Sequence, residues 1–199
     1  MKLGPTLKLT VAVAAVVCAM GVVVTSTALA HTWAPVSTVF EGKNTSAATK
    51  LSWPTAHWEC NKDTLKGTTA STASASLGVT PTFSSCVFEP GGLATNWGFE
   101  CVGKPSWTLT LGTGSTGTVT FNCPFEIEAP AVGCAVRGTE QANLETFTWT
   151  NVGTKEGVQI KFAVKKIKTT SNHPFCEESL GGAEAEFTGT YEIKNVYVS

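Results

Sequence analysis

Four cysteines fall between positions 86 and 134, in two neighbouring pairs: Cys86 with Cys101, and Cys123 with Cys134. A covalent bridge limits which segments can be neighbours more tightly than any local propensity. Each pair is entered alike, through Phe83-Ser84-Ser85-Cys86-Val87-Phe88-Glu89 and Phe121-Asn122-Cys123-Pro124-Phe125-Glu126. Each closes after a glycine-containing turn. Cys60 and Cys176 stand outside this stretch. A seventh cysteine, Cys18, lies in the apolar N-terminal stretch, and the other six can pair in many ways. Nearness in sequence favours Cys86–Cys101 and Cys123–Cys134. Cys60–Cys176 would then tie the start of the domain to its end. No Cys-x-x-Cys occurs, so a zinc ribbon or redox pair has little support.

Disulfides presuppose an oxidising compartment, and the first 30 residues supply the route to one. Lys2 and Lys8 precede an apolar run of 16 residues, Leu9 to Val24. Ala28-Leu29-Ala30 follows as a small-x-small cleavage site. This reads as a secretory signal peptide over 1–30, cut before His31. The alternative is a retained anchor, but the run is shorter than the ~20 residues of a spanning helix. Residues 31–199 then form a single domain, secreted or held at the cell surface. Without Lys2 and Lys8, 12 basic side chains face 15 acidic ones. That balance gives no basic field for nucleic acid or an anionic membrane.

From Ala73 onward the chain alternates with period two. Leu77 and Val79, then Trp107, Leu109 and Leu111, then Val119 and Phe121, each share one face. Phe125 and Ile127 do the same. Phe147 and Trp149 do so among threonines, and Val158, Ile160, Phe162 and Val164 among Gln159, Lys161 and Lys165. Ala185, Phe187, Gly189, Tyr191 and Ile193 close the series. Val36, Val39 and Phe40 suggest a first edge strand, and only Thr139 to Leu144 looks locally helical. Thr and Val suit pleated, half-exposed strands. Short strands with one polar face and Gly, Pro or Asn turns predict an all-β fold, an antiparallel β-sandwich with three disulfides.

Three short patterns carry a resemblance: Phe121-x-Cys123-Pro124, Gly133-Cys134-x-Val136 and Gly189-x-Tyr191-x-Ile193. Over residues 80–199 the chain is similar to a diffuse group of exported, cysteine-containing β proteins of high-GC Gram-positive bacteria. The resemblance implies an exported β domain and no particular activity.

Candidate sites are few. His31, as the first mature residue, could bind copper through its α-amine and imidazole. His57 or His173 would be the second ligand and Tyr191 an axial group, since Cu(II) accepts planar nitrogen ligands. That geometry resembles the lytic polysaccharide monooxygenases, which are exported β-sandwiches with His at position one. The plainer reading is a solvated terminal His31, with His57 packed among Trp53, Trp58 and Cys60. Asp63 is the single Asp after the leader, and no Gly-x-Ser-x-Gly elbow accompanies it. Glu126 and Glu128 share a strand face and so cannot straddle a sugar bond. Trp33, Trp53 and Trp97 lie in loop-like contexts, where exposed rings could stack on a cell-surface glycan or anchor a protein, although the plainer reading has them cover the ends of the sandwich.

The function expected from sequence is therefore an exported, non-enzymatic module, structural or binding, without a cofactor. The alternatives are a copper oxidative enzyme using His31 and a glycan-binding module using the tryptophans.

Overall fold

The structure is a computed structural model, and it describes residues 31–35, 39–69, 72–89, 92–93, 98–172 and 174–199. In chain order the strands begin with β1 (Trp33–Pro35), β2 (Val39–Asn44), β3 (Thr49–Ser52), β4 (His57–Thr68) and β5 (Ser76–Glu89). Two short strands follow, β6 (Gly92–Leu93) and β7 (Gly98–Phe99), and then a hairpin of β8 (Trp107–Leu111) and β9 (Thr116–Phe121). β10 (Phe125–Ala129) and β11 (Cys134–Gly138) flank a 3-10 turn, Pro130–Val132. The chain ends with β12 (Gln141–Val152), β13 (Gly157–Ser171), helix α1 (Pro174–Leu180), β14 (Glu184–Lys194) and β15 (Val196–Val198).

The expected sandwich is corrected to a closed barrel. β2 and β3 act as one interrupted strand, since both lie between β4 and β14. From there the wall runs β4, β5, β8, β9, β12, β13 and β14. β14 returns to β2 and β3, so the ring of eight closes, and every pairing in it is antiparallel. Period-two alternation reports one buried face per strand, and sandwiches and barrels share that property. Closure depends on strands far apart in sequence, which no local pattern records.

The wall bends where the alternation slips. On β13 the inward series Val158, Ile160, Phe162, Val164 steps by three to Ile167, and Lys166 in between takes φ +59°. On β5 the step from Phe83 to Cys86 spans Ser85 at φ +55°. On β13 the extra residue is a β-bulge, which curves a sheet toward closure, whereas β4 slips in step with β5, from Cys60 to Asp63, so their register is unbroken.

Eight strands enclose a space that side chains can just fill. Here aromatic rings fill it. Trp107 is fully buried, with ring centroids 5.1 Å from Phe187, 5.3 Å from Phe121, 5.9 Å from Phe162 and 6.1 Å from Phe83. Trp58 and Phe147 extend the lattice, meeting Phe83 and Phe162.

β14 orients the two ends of the barrel, because α1 precedes its start and β15 follows its last residue. At one end β1 and β15 pair and cover the opening. Trp33 seals it, donating Nε1–H to the Leu109 carbonyl at 3.2 Å and stacking on Phe147. At the other end Trp53 donates to Thr169 Oγ1 at 3.0 Å, and α1 packs Leu180 beside it. Gly181 ends α1 at φ +69°, where a Cβ would also lie 2.7 Å from Thr55 Oγ1. Both demands select glycine. Sequence periodicity misses α1, which has only seven residues. Conversely, Gln141 to Leu144 opens strand β12 instead of forming a helix.

All six cysteines are bridged, but each expected pairing is corrected. The bonds are Cys60–Cys86, Cys101–Cys123 and Cys134–Cys176, in place of Cys60–Cys176, Cys86–Cys101 and Cys123–Cys134. Register explains each. Cys60 lies directly opposite Cys86 on β4 and β5. Cys101 and Cys123 flank the β8–β9 hairpin, whose bases meet at Trp107 and Phe121. β11 pairs with the last residues of β13, which delivers Cys176 to Cys134. Position along the sheet, not nearness in sequence, selects the partners.

Candidate functional site

The proposed copper ligands do not converge. His31 precedes β1 and sits edge-on to Trp149, with centroids 5.1 Å apart. His57 opens β4 at the helix end of the barrel, where its Nε2 lies 3.8 Å from Glu59. The two imidazoles thus belong to opposite ends. Tyr191 points into the core and is fully buried. His173 lies outside the described residues. Among the described residues, no three His, Cys, Asp or Glu side chains come together as a metal site.

Of the candidate sugar-stacking tryptophans, the two that are described cover the ends, as the plainer reading has it. Trp33 is 1% exposed and Trp53 6%, because each closes one end of the barrel. Neither ring offers a face to a sugar. Trp97 lies outside the described residues.

One polar cluster inside the wall escaped the sequence reading. Asp63 is buried on β4, where its Oδ2 accepts from the Thr49 hydroxyl and from the Tyr191 hydroxyl at 2.6 Å. Thr49 and Tyr191 also meet at 2.9 Å, and Asn44 Nδ2 donates to Thr49 Oγ1 at 3.1 Å. Four strands, β2, β3, β4 and β14, each supply one member, so the cluster pins the wall where it closes. The sequence carries the signal: the chain's single Asp stands two residues before inward Leu65. Read by parity, Asp63 belongs inside, and a buried carboxyl requires partners.

Burial, and then the neighbouring Asp63, push the Tyr191 phenol well above its usual range. The fold therefore favours neutral Tyr191. An unfolded tyrosine ionises near pH ~10. The stability linked to Tyr191 is fully present below that pH and is lost as pH rises beyond it. Tyr191→Phe should lose about 1.5–3 kcal/mol at neutral pH, the range for a hydrogen bond to a charged group. It should also show a shallower loss of stability above pH ~10 than the wild type. Urea melts of both proteins across that pH range check the two effects, and parallel curves would remove Tyr191 from the alkaline transition.

The outer surface is two-sided. β2, β13 and β14 present Glu41, Lys43, Lys161, Lys165, Glu192 and Lys194 outward. β5, β8 and β9 are consecutive in the wall and carry no charged residue except Glu89 at the last position of β5. Their outward positions are mostly Thr and Ser, with Gly78, Val87 and Glu89 the exceptions. In register, Thr108 faces Thr120, Thr110 faces Thr118, and Ser76 faces Thr110 with hydroxyls 3.1 Å apart. Neither half carries the apolar outer band of a lipid-facing barrel.

The loop from Glu100 to Ser106 crosses this hydroxyl face. It is held by Cys101–Cys123, by Asn122 Nδ2 donating to the Pro105 carbonyl at 2.9 Å, and by Lys104 pairing with Glu140 at 3.1 Å. Shallow depressions lie on either side. One, of about 320 Å³, is lined by Thr80, Thr82, Phe99, Lys104 and Ser106 among others. The other, of about 410 Å³, includes Thr108, Thr120, Asn122 and Gln141. At the first, Ser106 is 1% exposed and its hydroxyl has no hydrogen-bond partner.

Fold and surface together define a class: a closed eight-stranded antiparallel barrel with a filled interior and three bridges. No family model, curated protein or solved structure matches the chain.

Proposed function

We propose that the protein is an exported, non-enzymatic module, structural or binding, that works through its outer surface outside the cell. The filled interior carries this reading. Rings occupy the barrel axis and both ends are covered, so the described residues leave the inside no room for a substrate. Three bridges fit an oxidising compartment. Among the described residues no helix is long and apolar enough to cross a membrane. The leader-like first 30 residues supply the export route.

Expression of the full chain in an exporting bacterial host tests the reading. The protein should be recovered outside the cytoplasm with a mass that starts at His31. Denatured without reductant, it should titrate no free thiol. Unreduced peptide mapping should join Cys60 to Cys86, Cys101 to Cys123 and Cys134 to Cys176. Retention in the cytoplasm with six reactive thiols would overturn it.

A further inference from the structure

Three consecutive strands whose single outward charge is Glu89, at the far end of β5, stand out on a surface that is charged elsewhere. Residues 67–88 and 105–125 contain no Asp, Glu, Lys, Arg or His at all. We propose that this face binds a neutral polysaccharide, with one sugar ring seated in the depression between β5 and the loop tied by Cys101–Cys123. The proposal rests on the outward-acting reading above and names its partner.

The lining matches that ligand in chemistry. Thr80, Thr82 and Ser106 carry hydroxyls, which both donate and accept, as sugar hydroxyls do. The Ser106 hydroxyl is buried and unpartnered, and a buried polar group normally has a partner. Phe99, half-buried and packed against Phe83, Trp107 and Phe125, also lines the depression and adds apolar surface beside the hydroxyls. Lys104 is the one charged residue lining it, and its ammonium is already paired with Glu140. The second depression shares Lys104 and continues with Thr108, Thr120 and Asn122, so a chain longer than one ring meets more of the same chemistry.

Other partners fit less well. Nucleic acid and acidic glycans require clustered cations, whereas the one cation lining the depression, Lys104, is paired with Glu140. Protein interfaces concentrate Tyr, Trp, Phe, Met and Arg and are depleted in Ser.

Affinity electrophoresis of the oxidised protein through gels cast with starch, mixed-linkage β-glucan or galactomannan tests the proposal, with alginate as the polyanionic control. At least one neutral polymer should retard the protein, and alginate should not. Thr82→Lys and Thr80→Lys place a cation on the face and should weaken retardation tenfold or more. Lys161→Ala, on the charged half, should leave it unchanged. Circular dichroism of each variant establishes that it is folded. Passage without retardation through all three neutral gels would overturn the proposal. So would retardation indifferent to Thr82→Lys, or stronger retardation in alginate. A dimer in sedimentation velocity that Thr82→Lys dissolves would reassign the face to a second copy. Each of these failures leaves the exported, bridged barrel standing, whereas six free thiols in a cytoplasmic protein would remove that reading first.

Discussion

Replacing Trp107 by alanine should destabilise the protein by about 4 kcal/mol, near the middle of the range for large aromatic deletions from cores. The expectation follows from its position. Trp107 is fully buried and meets Phe83, Phe121, Phe162 and Phe187, rings carried by four other strands. Cutting it to a methyl group leaves a void that curved, closed walls cannot collapse to fill. Domains of this size are stable by roughly 5–15 kcal/mol in total, so the variant would unfold at markedly lower urea. Thr118→Ala, on the outer face, should stay within ~0.5 kcal/mol. Equal midpoints for the two variants would contradict a barrel packed around Trp107.

The second large effect concerns Cys134–Cys176, which closes the longest of the three loops, 42 residues. Loop-closure entropy gives about 4 kcal/mol for a loop of that size. Cys134→Ser with Cys176→Ser should therefore lower the melting temperature by roughly 10 °C, on the scale for domains of 150–250 residues. The bridge is also the covalent hold on α1, so the helix end of the barrel should lose hydrogen-exchange protection first. Cys60→Ser with Cys176→Ser makes the sharper comparison. If these two were partners, that variant would lose one bridge and resemble the first. With the observed connectivity it breaks two bridges, exposes Cys86 and Cys134 as thiols, and should be the less stable protein.

Much of the fold can be read from sequence. The inward residues Leu77, Val79, Trp107, Leu109, Val119, Phe121, Ile160, Phe162, Phe187 and Tyr191 all lie where period two places them. Three things cannot be read in that way. Closure joins β2 and β3 to β14 across more than a hundred residues, and alternation is silent about which strands meet. The disulfides follow from that register, so an assignment by nearness in sequence misses all three. The left-handed residues Ser85 and Lys166 shift the parity, and a strict period cannot carry across them. The sites fared likewise. That Trp33 and Trp53 cover the ends is legible from their size and loop-like neighbours, but which end each covers depends on closure. Asp63 was noticed for the wrong reason, as a lone acid for catalysis, when its inward parity already pointed to a structural carboxyl. The hydroxyl face was visible as two long charge-free stretches, but only the wall order makes them one surface.

The pairing of β1 with β15 has a consequence for how the chain matures. Thr32 bonds to Ser199, 167 positions away. β1 is made early and stays unmatched until β15 has been made. Contacts of such long range slow folding. During that wait Trp33 stays wetted and one mouth of the barrel unsealed, so β15 acts as the latch on that end of the vessel.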